Sequence, residues 1–155
     1  MNLGDIMSRD VRFCRASDAI KDCAKSMADN KIGFLPVVDD NGILLGTLTD
    51  RDIALRAVAM GKGPDTKVQD VMSGDPVHLH ADSTLDEAEQ VMMQGHIRRV
   101  VVVDDQKKPI GVVSISDIAK SEDDAGRLKE VLSTITERIP EERTVEELVG
   151  SPCCG

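Results

Sequence analysis

The sequence predicts an α/β protein of the α+β type, built from a tandem duplication of a β-α-β-β-α unit. Two small sheets are expected to pack with pseudo-twofold symmetry, and a C-terminal helical extension follows them. The main observation is an ungapped repeat, in which Gly46-Thr47-Leu48-Thr49-Asp50-Arg51-Asp52 returns 65 residues later as Gly111-Val112-Val113-Ser114-Ile115-Ser116-Asp117. The same offset joins further pairs: Met7 and Met72, Met27 and Met92, Ile32 and Ile97, Val37 and Val102, Asp39 and Asp104. A second observation is that short apolar runs alternate with helically spaced apolar residues in each copy.

The chain of 155 residues divides into three predicted regions. Residues 1–62 form the first repeat and residues 66–121 the second, with the turn-forming segment Gly61-Lys62-Gly63-Pro64-Asp65 between them. Residues 122–155 form a helical extension and tail. Because one unit cannot cover both faces of its sheet, the two repeats are expected to pack sheet against sheet around one shared core.

The first repeat is expected to contain three strands and two helices. A short strand at residues 11–14 precedes a helix that is capped by Ser17 or Asp18 and stops near Asn30. A buried strand, an Asn-Gly hairpin turn and a return strand follow at residues 34–38, 39–42 and 43–48. A second helix begins at Asp50 and ends near Gly61, and its predicted core side carries Ile53, Ala54, Ala57 and Val58.

The second repeat shows the same order. Strands are expected at residues 77–79, 100–103 and 110–113, a turn at 104–108, and helices at 83–94 and from Ser116. The extension is predicted to form an amphipathic helix over residues 123–138 that packs on the domain or on a second subunit; its apolar stripe is Leu128, Val131, Leu132, Ile135 and Ile139. Pro140 ends this helix, and a capping box at Thr144-Val145-Glu146-Glu147 predicts one more short helix that stops at Gly150.

Composition argues against several classes of function. The formal net charge of −9 is unfavourable for nonspecific binding to nucleic acid or to a membrane surface. The absence of Trp and Tyr nearly excludes aromatic stacking on nucleic-acid bases. We find no apolar run of about 18 residues and no signal-peptide pattern, so the expected location is the cytoplasm. An anionic ligand would need a local basic patch.

Cysteine and histidine give little indication of a metal. The chain has four cysteines: Cys14, Cys23, Cys153 and Cys154. They form no C-x-x-C motif, and Cys14 and Cys23 are expected to be small buried apolar residues. The terminal pair is either an unremarkable tail or a pair of exposed thiols that oxidise or take up metal. His78 and His80 share a strand face, but without a third ligand nearby an exposed edge pair is the favoured interpretation.

The repeated hinge between strand and helix carries the most specific chemistry. In each copy a strand is expected to end at the glycine, and Thr49 or Ser114 stands where a helix begins. Such a hydroxyl caps the helix, whose first N–H groups favour phosphate. Asp52 or Asp117, one turn in, is suited to accept two vicinal sugar hydroxyls. The hinges therefore indicate a ribose-phosphate site; the alternative is that all four residues only cap helices.

Several segments together resemble the cystathionine β-synthase (CBS) domain, present as a tandem pair over residues 7–119. They are the two hinges, Met72-Ser73, Phe34-Leu35-Pro36-Val37-Val38-Asp39, and Ile97-Arg98-Arg99-Val100-Val101-Val102-Val103-Asp104. The resemblance implies a sensor with two clefts between the repeats that bind AMP, ADP, ATP, NAD or S-adenosylmethionine. It implies ribose at Asp52 and Asp117, and phosphate at Thr49 and Ser114.

The same resemblance implies where the base lies. For the cleft of Asp117, which we call the Asp117 cleft, the expected residues are Ser8, Arg12, Ile32, Gly33 and Val112. For the cleft of Asp52, the Asp52 cleft, they are Ser73, Val77, Ile97 and Thr47. The family often places a basic residue just before the second strand, here Arg98-Arg99.

Arg98 and Arg99 are the strongest candidates for phosphate contacts. Successive strand residues face opposite ways, so one arginine could enter each cleft, where bidentate contacts to phosphate are strong. The alternative is a pair of solvated arginines that balance Asp104 and Asp105. The first repeat has Gly33 where the second has Arg98, so the two clefts are expected to be unequal and one of them can stay empty.

Three functions follow from these patterns. The first is a regulatory module that binds an adenine nucleotide as a regulatory ligand, forms a homodimer and acts in trans on an unknown effector protein. The second is a dimerisation or interaction scaffold without ligand. The third is an enzyme, for which the sequence offers no nucleophile–base pair, metal set or glycine-rich phosphate loop. We therefore expect no catalytic residue, no catalytic cofactor and no metal.

Overall fold

The structure is a computed structural model, and it describes residues 1–137. Its elements are α1 (Leu3–Ile6), β1 (Cys14–Arg15), α2 (Ile20–Asn30), β2 (Phe34–Val38), β3 (Leu44–Thr49), α3 (Asp50–Asp52, continued by a π-helical segment Ile53–Val58), β4 (Ser73–Gly74), β5 (His78–His80), α4 (Leu85–Gly95), β6 (Arg99–Val103), β7 (Pro109–Ser114), α5 (Ile115–Ser121) and α6 (Ala125–Thr136). This order confirms the duplicated β-α-β-β-α unit. The sequence did not predict α1 and β4, because such short elements carry no detectable periodicity.

Each repeat forms one small mixed sheet. In the first sheet the strand order is β1-β2-β3-β4, where β4 comes from the second repeat, with β1 parallel to β2 and the other neighbours antiparallel. In the sheet of the second repeat β5 is parallel to β6, and β6 is antiparallel to β7. The predicted hairpin turn joins β2 to β3: the Asp39 N–H donates to the Ile43 carbonyl at 2.9 Å. Gly42 has a φ of +82° there, a conformation that favours glycine.

The segment that leads into each repeat packs on the other repeat. Leu3 is buried in the core of the second repeat, and Ser8 exchanges backbone hydrogen bonds of 3.0 and 3.1 Å with Val112 of β7. In return, Val68 and Val71 lie in the core of the first repeat, and β4 pairs with β3. The two repeats are therefore joined by an exchange of their leading segments.

The apolar core is divided, so the expectation of one shared core is wrong. One cluster lies between each sheet and its own helices. A third, small cluster joins the two sheets; its members are Leu44, Val101, Val103 and the adjoining Phe34. In β6 successive side chains alternate between faces, so Val100 and Val102 fill the helical core while their neighbours face the other sheet.

The hinge glycines lie inside strands, so the prediction that each strand ends at the glycine is also wrong. β3 continues through Gly46 to Thr49, and β7 continues through Gly111 to Ser114. A Cβ at Gly46 would collide with the backbone carbonyl oxygen of Ser73. A Cβ at Gly111 would collide with the side chain of Met7. Both glycines are needed because the exchanged segments approach these strands closely.

The predicted extension helix packs on the second repeat. α6 contacts α4 and α5, with Val131 and Ile135 buried in that core. Glu89 of α4 is only 1% exposed, and it accepts a hydrogen bond from Nε of Arg127 on α6 at 2.7 Å. Burial raises the pKa of Glu89, the Arg127 guanidinium opposes that rise, and the nearby Glu122 adds to it. The helix is therefore anchored by a buried ion pair as well as by apolar packing.

Several boundaries differ from prediction, and those of β1, α2 and α4 have clear local causes. β1 lies at Cys14–Arg15 rather than at residues 11–14, and neither Ser17 nor Asp18 caps α2. The Asp18 carboxylate instead accepts the N–H of Arg15 at 2.8 Å, so the helix begins after Ala19. α4 begins after Thr84 rather than at residue 83, and Thr84 forms a capping box with Glu87.

The helix that follows the first hinge also differs. After Asp52 the backbone widens into a π-helical segment, which changes the direction of later side chains. Val58, predicted to face the core, is consequently 70% exposed, whereas Ala57 is buried as expected.

The described part of the chain contains no helix long and apolar enough to cross a membrane. The predicted features at Ile139, Pro140, Thr144 to Gly150 and Cys153-Cys154 lie outside the described residues.

Candidate functional site

Two clefts lie between the repeats. The Asp117 cleft encloses about 310 Å³ and is lined by Ser8, Asp10, Val11, Arg12, Lys31, Ile32, Gly33, Phe34, Pro36, Arg99, Val112, Ser114 and Asp117. The Asp52 cleft encloses about 400 Å³ and is lined by Phe34, Thr47, Thr49, Ser73, Gly74, Asp75, Pro76, Val77, Gly95, Ile97, Arg98, Arg99 and Val101. Volumes of this size are usual for small-molecule sites.

The Asp117 cleft is composite, because the leading segment of the first repeat lies on the sheet of the second. Ser8 is bridged to Val112 on β7, and this places the residues up to Arg12 along one wall. Ile32 and Gly33, from the turn between α2 and β2, also line the cleft. The structure thus brings together every residue that the sequence assigned to this cleft, including Ser114 and Asp117.

Ser114 and Asp117 cap α5 reciprocally. The Ser114 hydroxyl accepts the Asp117 N–H at 3.2 Å and donates to Oδ2 of the Asp117 carboxylate at 2.9 Å. The same Oδ2 accepts the Ser114 N–H at 2.8 Å. Within residues 1–137, Oδ1 of Asp117 accepts no hydrogen bond. Capping and ligand binding are therefore compatible here, because one carboxylate oxygen stays available at the cleft wall.

The second hinge is arranged differently. Thr49 lines the Asp52 cleft, together with the predicted Thr47, Ser73, Val77 and Ile97, but Asp52 itself does not line it. Oδ2 of Asp52 accepts the Thr49 N–H at 3.0 Å, and Oδ1 lies 3.9 Å from Nε of Arg56. The Asp52 side chain is only 15% exposed. The family resemblance assigns a ribose to each acid. In the structure Asp117 lines its cleft, whereas Asp52 does not.

The two arginines do not divide between the clefts as expected. Arg98 lines only the Asp52 cleft, whereas Arg99 lines both. Sequence reasoning missed Phe34, which also lines both clefts. The signal was available in the repeat, because Phe34 stands 65 residues before Arg99 and so occupies the equivalent position.

The electrostatics of the Asp117 cleft differ from those of the acidic chain as a whole. Its lining includes three basic side chains, of Arg12, Lys31 and Arg99, and two acidic ones, of Asp10 and Asp117. Asp10 lies 3.8 Å from Arg12, which leaves the other two cations free for an anionic ligand. Lys31 was another residue missed from the sequence; it ends α2 in a left-handed conformation with a φ of 54°.

His78 and His80 lie on β5 with their ring centres 6.4 Å apart. Among the described residues, no group of three or more His, Cys, Asp or Glu side chains is placed to hold a metal ion. Cys14 and Cys23 are buried, as predicted. The neighbouring Cys23, together with burial, raises the pKa of the Cys14 thiol, so this thiol stays neutral.

Comparisons with known proteins agree on one family. A family model described as "CBS domain" matches residues 3–58 and 68–124. The uncharacterized protein YlbB of Bacillus subtilis is 36% identical over 134 residues, which cover 86% of this chain and 90% of YlbB. The crystal structure of the CBS domain pair of protein MJ0100 in complex with 5′-methylthioadenosine and S-adenosyl-L-methionine has a TM-score of 0.71 and 30% identity, covering 78% of this chain and 98% of that one. The crystal structure of CBSX2 in complex with AMP has a TM-score of 0.67 and 26% identity, covering 77% and 94%.

Proposed function

This chain belongs to the CBS domain family as a tandem pair, and on that premise we propose that it senses an adenosine-containing ligand in the Asp117 cleft. The observation that carries the proposal is the available oxygen of Asp117 beside two apolar residues, Ile32 and Val112, in a cleft with free cations. A carboxylate oxygen suits ribose hydroxyls, and apolar walls suit an adenine ring. Arg99, or Lys31, would meet a phosphate.

The ligand class is supported by what the relatives hold. The MJ0100 domain pair was crystallised with 5′-methylthioadenosine and S-adenosyl-L-methionine, and CBSX2 with AMP. These molecules share adenosine and differ in what is attached to the 5′ carbon. We propose AMP as the first candidate, because the cleft carries uncompensated positive charge, and ADP, ATP, NAD and S-adenosylmethionine as further ones.

Signalling would require a second protein. The proposed effector acts in trans, and the module itself is proposed to be a homodimer in the cytoplasm and not an enzyme. The dimer proposal is supported by exposed apolar side chains on the helix after the first hinge and in the turn that follows it, where Leu55, Val58 and Met60 are 41%, 70% and 69% exposed. Burial of exposed apolar groups of this kind against a partner lowers the free energy of the complex.

A ligand-free scaffold is the alternative function. It is favoured by the complete capping boxes at both hinges, since Thr49, Ser114 and both acids already have a structural role. The two functions differ in whether the Asp117 cleft binds anything.

Thermal unfolding of the full chain with and without AMP tests the proposal. Ligand at 100 times its Kd stabilises by about 2.7 kcal/mol. For a chain of this size this is a rise in Tm of about 5–11 °C. Asp117→Asn should abolish the shift, because a neutral amide keeps an acceptor for the cap but loses the charged oxygen. Glu87→Gln, in the equivalent capping position of α4 outside both clefts, is the matched control and should keep it. The absence of a shift with every adenosine ligand would favour the scaffold.

A further inference from the structure

The two hinges differ in one side chain that contacts the segment opposite. Arg56 stands one turn after Asp52, and its Nη1 donates to the Met72 carbonyl at 3.1 Å, the Ser73 hydroxyl at 3.2 Å and the Val71 carbonyl at 3.4 Å. Its Nε lies 3.9 Å from Oδ1 of Asp52. One guanidinium thus connects the hinge acid to the segment that forms the cleft wall.

The equivalent residue in the second repeat cannot make this connection. Ser121 lies 65 residues after Arg56, and its short side chain donates to the backbone carbonyl of Asp117 at 2.9 Å. Asp117 lines its cleft with one carboxylate oxygen free of hydrogen bonds from the described residues, whereas Asp52, whose Oδ1 lies 3.9 Å from Nε of Arg56, does not line its own. The difference between the hinges thus coincides with the presence of Arg56 in the first repeat and Ser121 at the equivalent position of the second.

We propose that Arg56 is a latch that closes the ribose position of the Asp52 cleft, so that the chain binds one nucleotide, in the Asp117 cleft. This inference rests on the proposed function. A ribose at Asp52 would have to displace a cation that lies beside the carboxylate and whose Nη1 donates, on the other side, to the Met72 carbonyl and the Ser73 hydroxyl. Hydrogen bonds from a charged donor are stronger than those from a neutral sugar hydroxyl. The bound nucleotide therefore prefers the cleft without the latch.

The geometry also explains why the latch acts on ribose rather than on phosphate. The Asp52 cleft is otherwise well formed, with about 400 Å³ and both Arg98 and Arg99 on its walls. Arg56 does not line that cleft, so its charge is directed at Asp52 and Ser73 instead of at the space where a ligand would lie. Shortening the side chain should therefore release Asp52 without removing any phosphate contact.

Calorimetric titration of the full 155-residue chain with AMP tests the inference through stoichiometry, which a merely structural role of Arg56 would not change. The wild type should bind one AMP per chain. Arg56→Ser, which copies Ser121 into the first repeat, should bind two. Ser121→Arg, which copies the latch into the second repeat, should weaken binding at least tenfold. The double variant Arg56→Ser with Asp117→Asn should bind one AMP, now in the Asp52 cleft.

Each contrary result has a distinct meaning. Two AMP molecules on the wild type, or one on Arg56→Ser, would overturn the latch while leaving the sensor function intact. If AMP, ADP, ATP, NAD and S-adenosylmethionine all fail to bind the wild type and every variant, the sensor function is overturned, and the latch with it.

Discussion

Arg99 and Phe34 hold the same position in the two repeats, and in the folded chain the guanidinium carbon of Arg99 lies 5.8 Å from the centre of the Phe34 ring. This is within the range of a cation–π interaction. Both side chains line both clefts, so this pair is shared by the two sites. The two residues at this equivalent position of the repeats therefore contact each other as a cation and an aromatic ring, not as two identical side chains.

Arg99→Gln tests the role of this pair in ligand binding. The change removes a cation from the Asp117 cleft and should weaken AMP binding about 10- to 100-fold, as expected for loss of a hydrogen bond to a charged group. Adenosine, which lacks the phosphate, should lose much less affinity. Calorimetric titration with both ligands measures the difference.

The control for Arg99→Gln is Arg51→Gln, which removes an exposed arginine that lines neither cleft. Its affinities should stay within twofold of the wild type. Equal losses for AMP and adenosine in Arg99→Gln would show that Arg99 acts on packing and not on phosphate.

Leu3→Ala tests the exchange of leading segments. Leu3 is fully buried in the core of the second repeat, so truncation should cost about 3 kcal/mol of the free energy of unfolding. Hydrogen exchange should show the loss of protection in β6 and β7, although Leu3 belongs in sequence to the first repeat. Met1→Ala, at a 70% exposed side chain, should change neither. A loss confined to β2 and β3 would contradict the exchange.

Alanine substitutions at the two hinge glycines should distinguish a clash with a backbone atom from a clash with a flexible side chain. Gly46→Ala meets the rigid carbonyl of Ser73 and should cost about 3 kcal/mol, whereas Gly111→Ala meets the flexible Met7 side chain and should cost about 1 kcal/mol. Denaturant unfolding measures both values. Gly63→Ala, with no atom within 4 Å of the added Cβ, is the control and should be nearly neutral. The reverse order of the two costs would show that the Ser73 carbonyl is not the more rigid neighbour.

Arg127→Ala should release α6 and make stability depend on pH. The change leaves Glu89 buried without its partner, which should cost about 3 kcal/mol at neutral pH. The pKa of Glu89 is already raised by burial, and Arg127 opposes that rise, so its removal raises the pKa further. A raised carboxyl pKa contributes stability below the pKa of the unfolded chain, and this contribution is lost as pH rises through the folded-state pKa.

The loss caused by Arg127→Ala should therefore be smaller at about pH 5 than at about pH 8, since protonation neutralises the buried carboxyl. Urea unfolding at both pH values measures the difference. Lys129→Ala, which removes an exposed cation from the same helix, should show no such dependence. A loss independent of pH in Arg127→Ala would mean that Glu89 keeps its charge without a partner.

The sequence by itself determined the duplication, the order of strands and helices, and the two capped hinges. These features are local or periodic: a 65-residue offset, a hydroxyl with an acid three residues later, and alternation of apolar residues can all be recognised along the chain. The predicted membership of Ser8, Ile32 and Val112 in one cleft came from the family resemblance rather than from such patterns.

Only the tertiary structure decided which of the two acids lines a cleft and which residues line both clefts. Asp52 and Asp117 both end a Gly-x-x-Thr/Ser-x-x-Asp pattern, yet in the part of the chain that the structure describes only Asp52 has an arginine beside it, Arg56, which also contacts Ser73, 17 residues away along the chain. The division of the core and the reach of Arg99 into both clefts likewise depend on contacts between the repeats. Such contacts depend on how one segment packs on another and on the length of the side chains. The periodicity of apolar residues along a single strand or helix does not predict either of these.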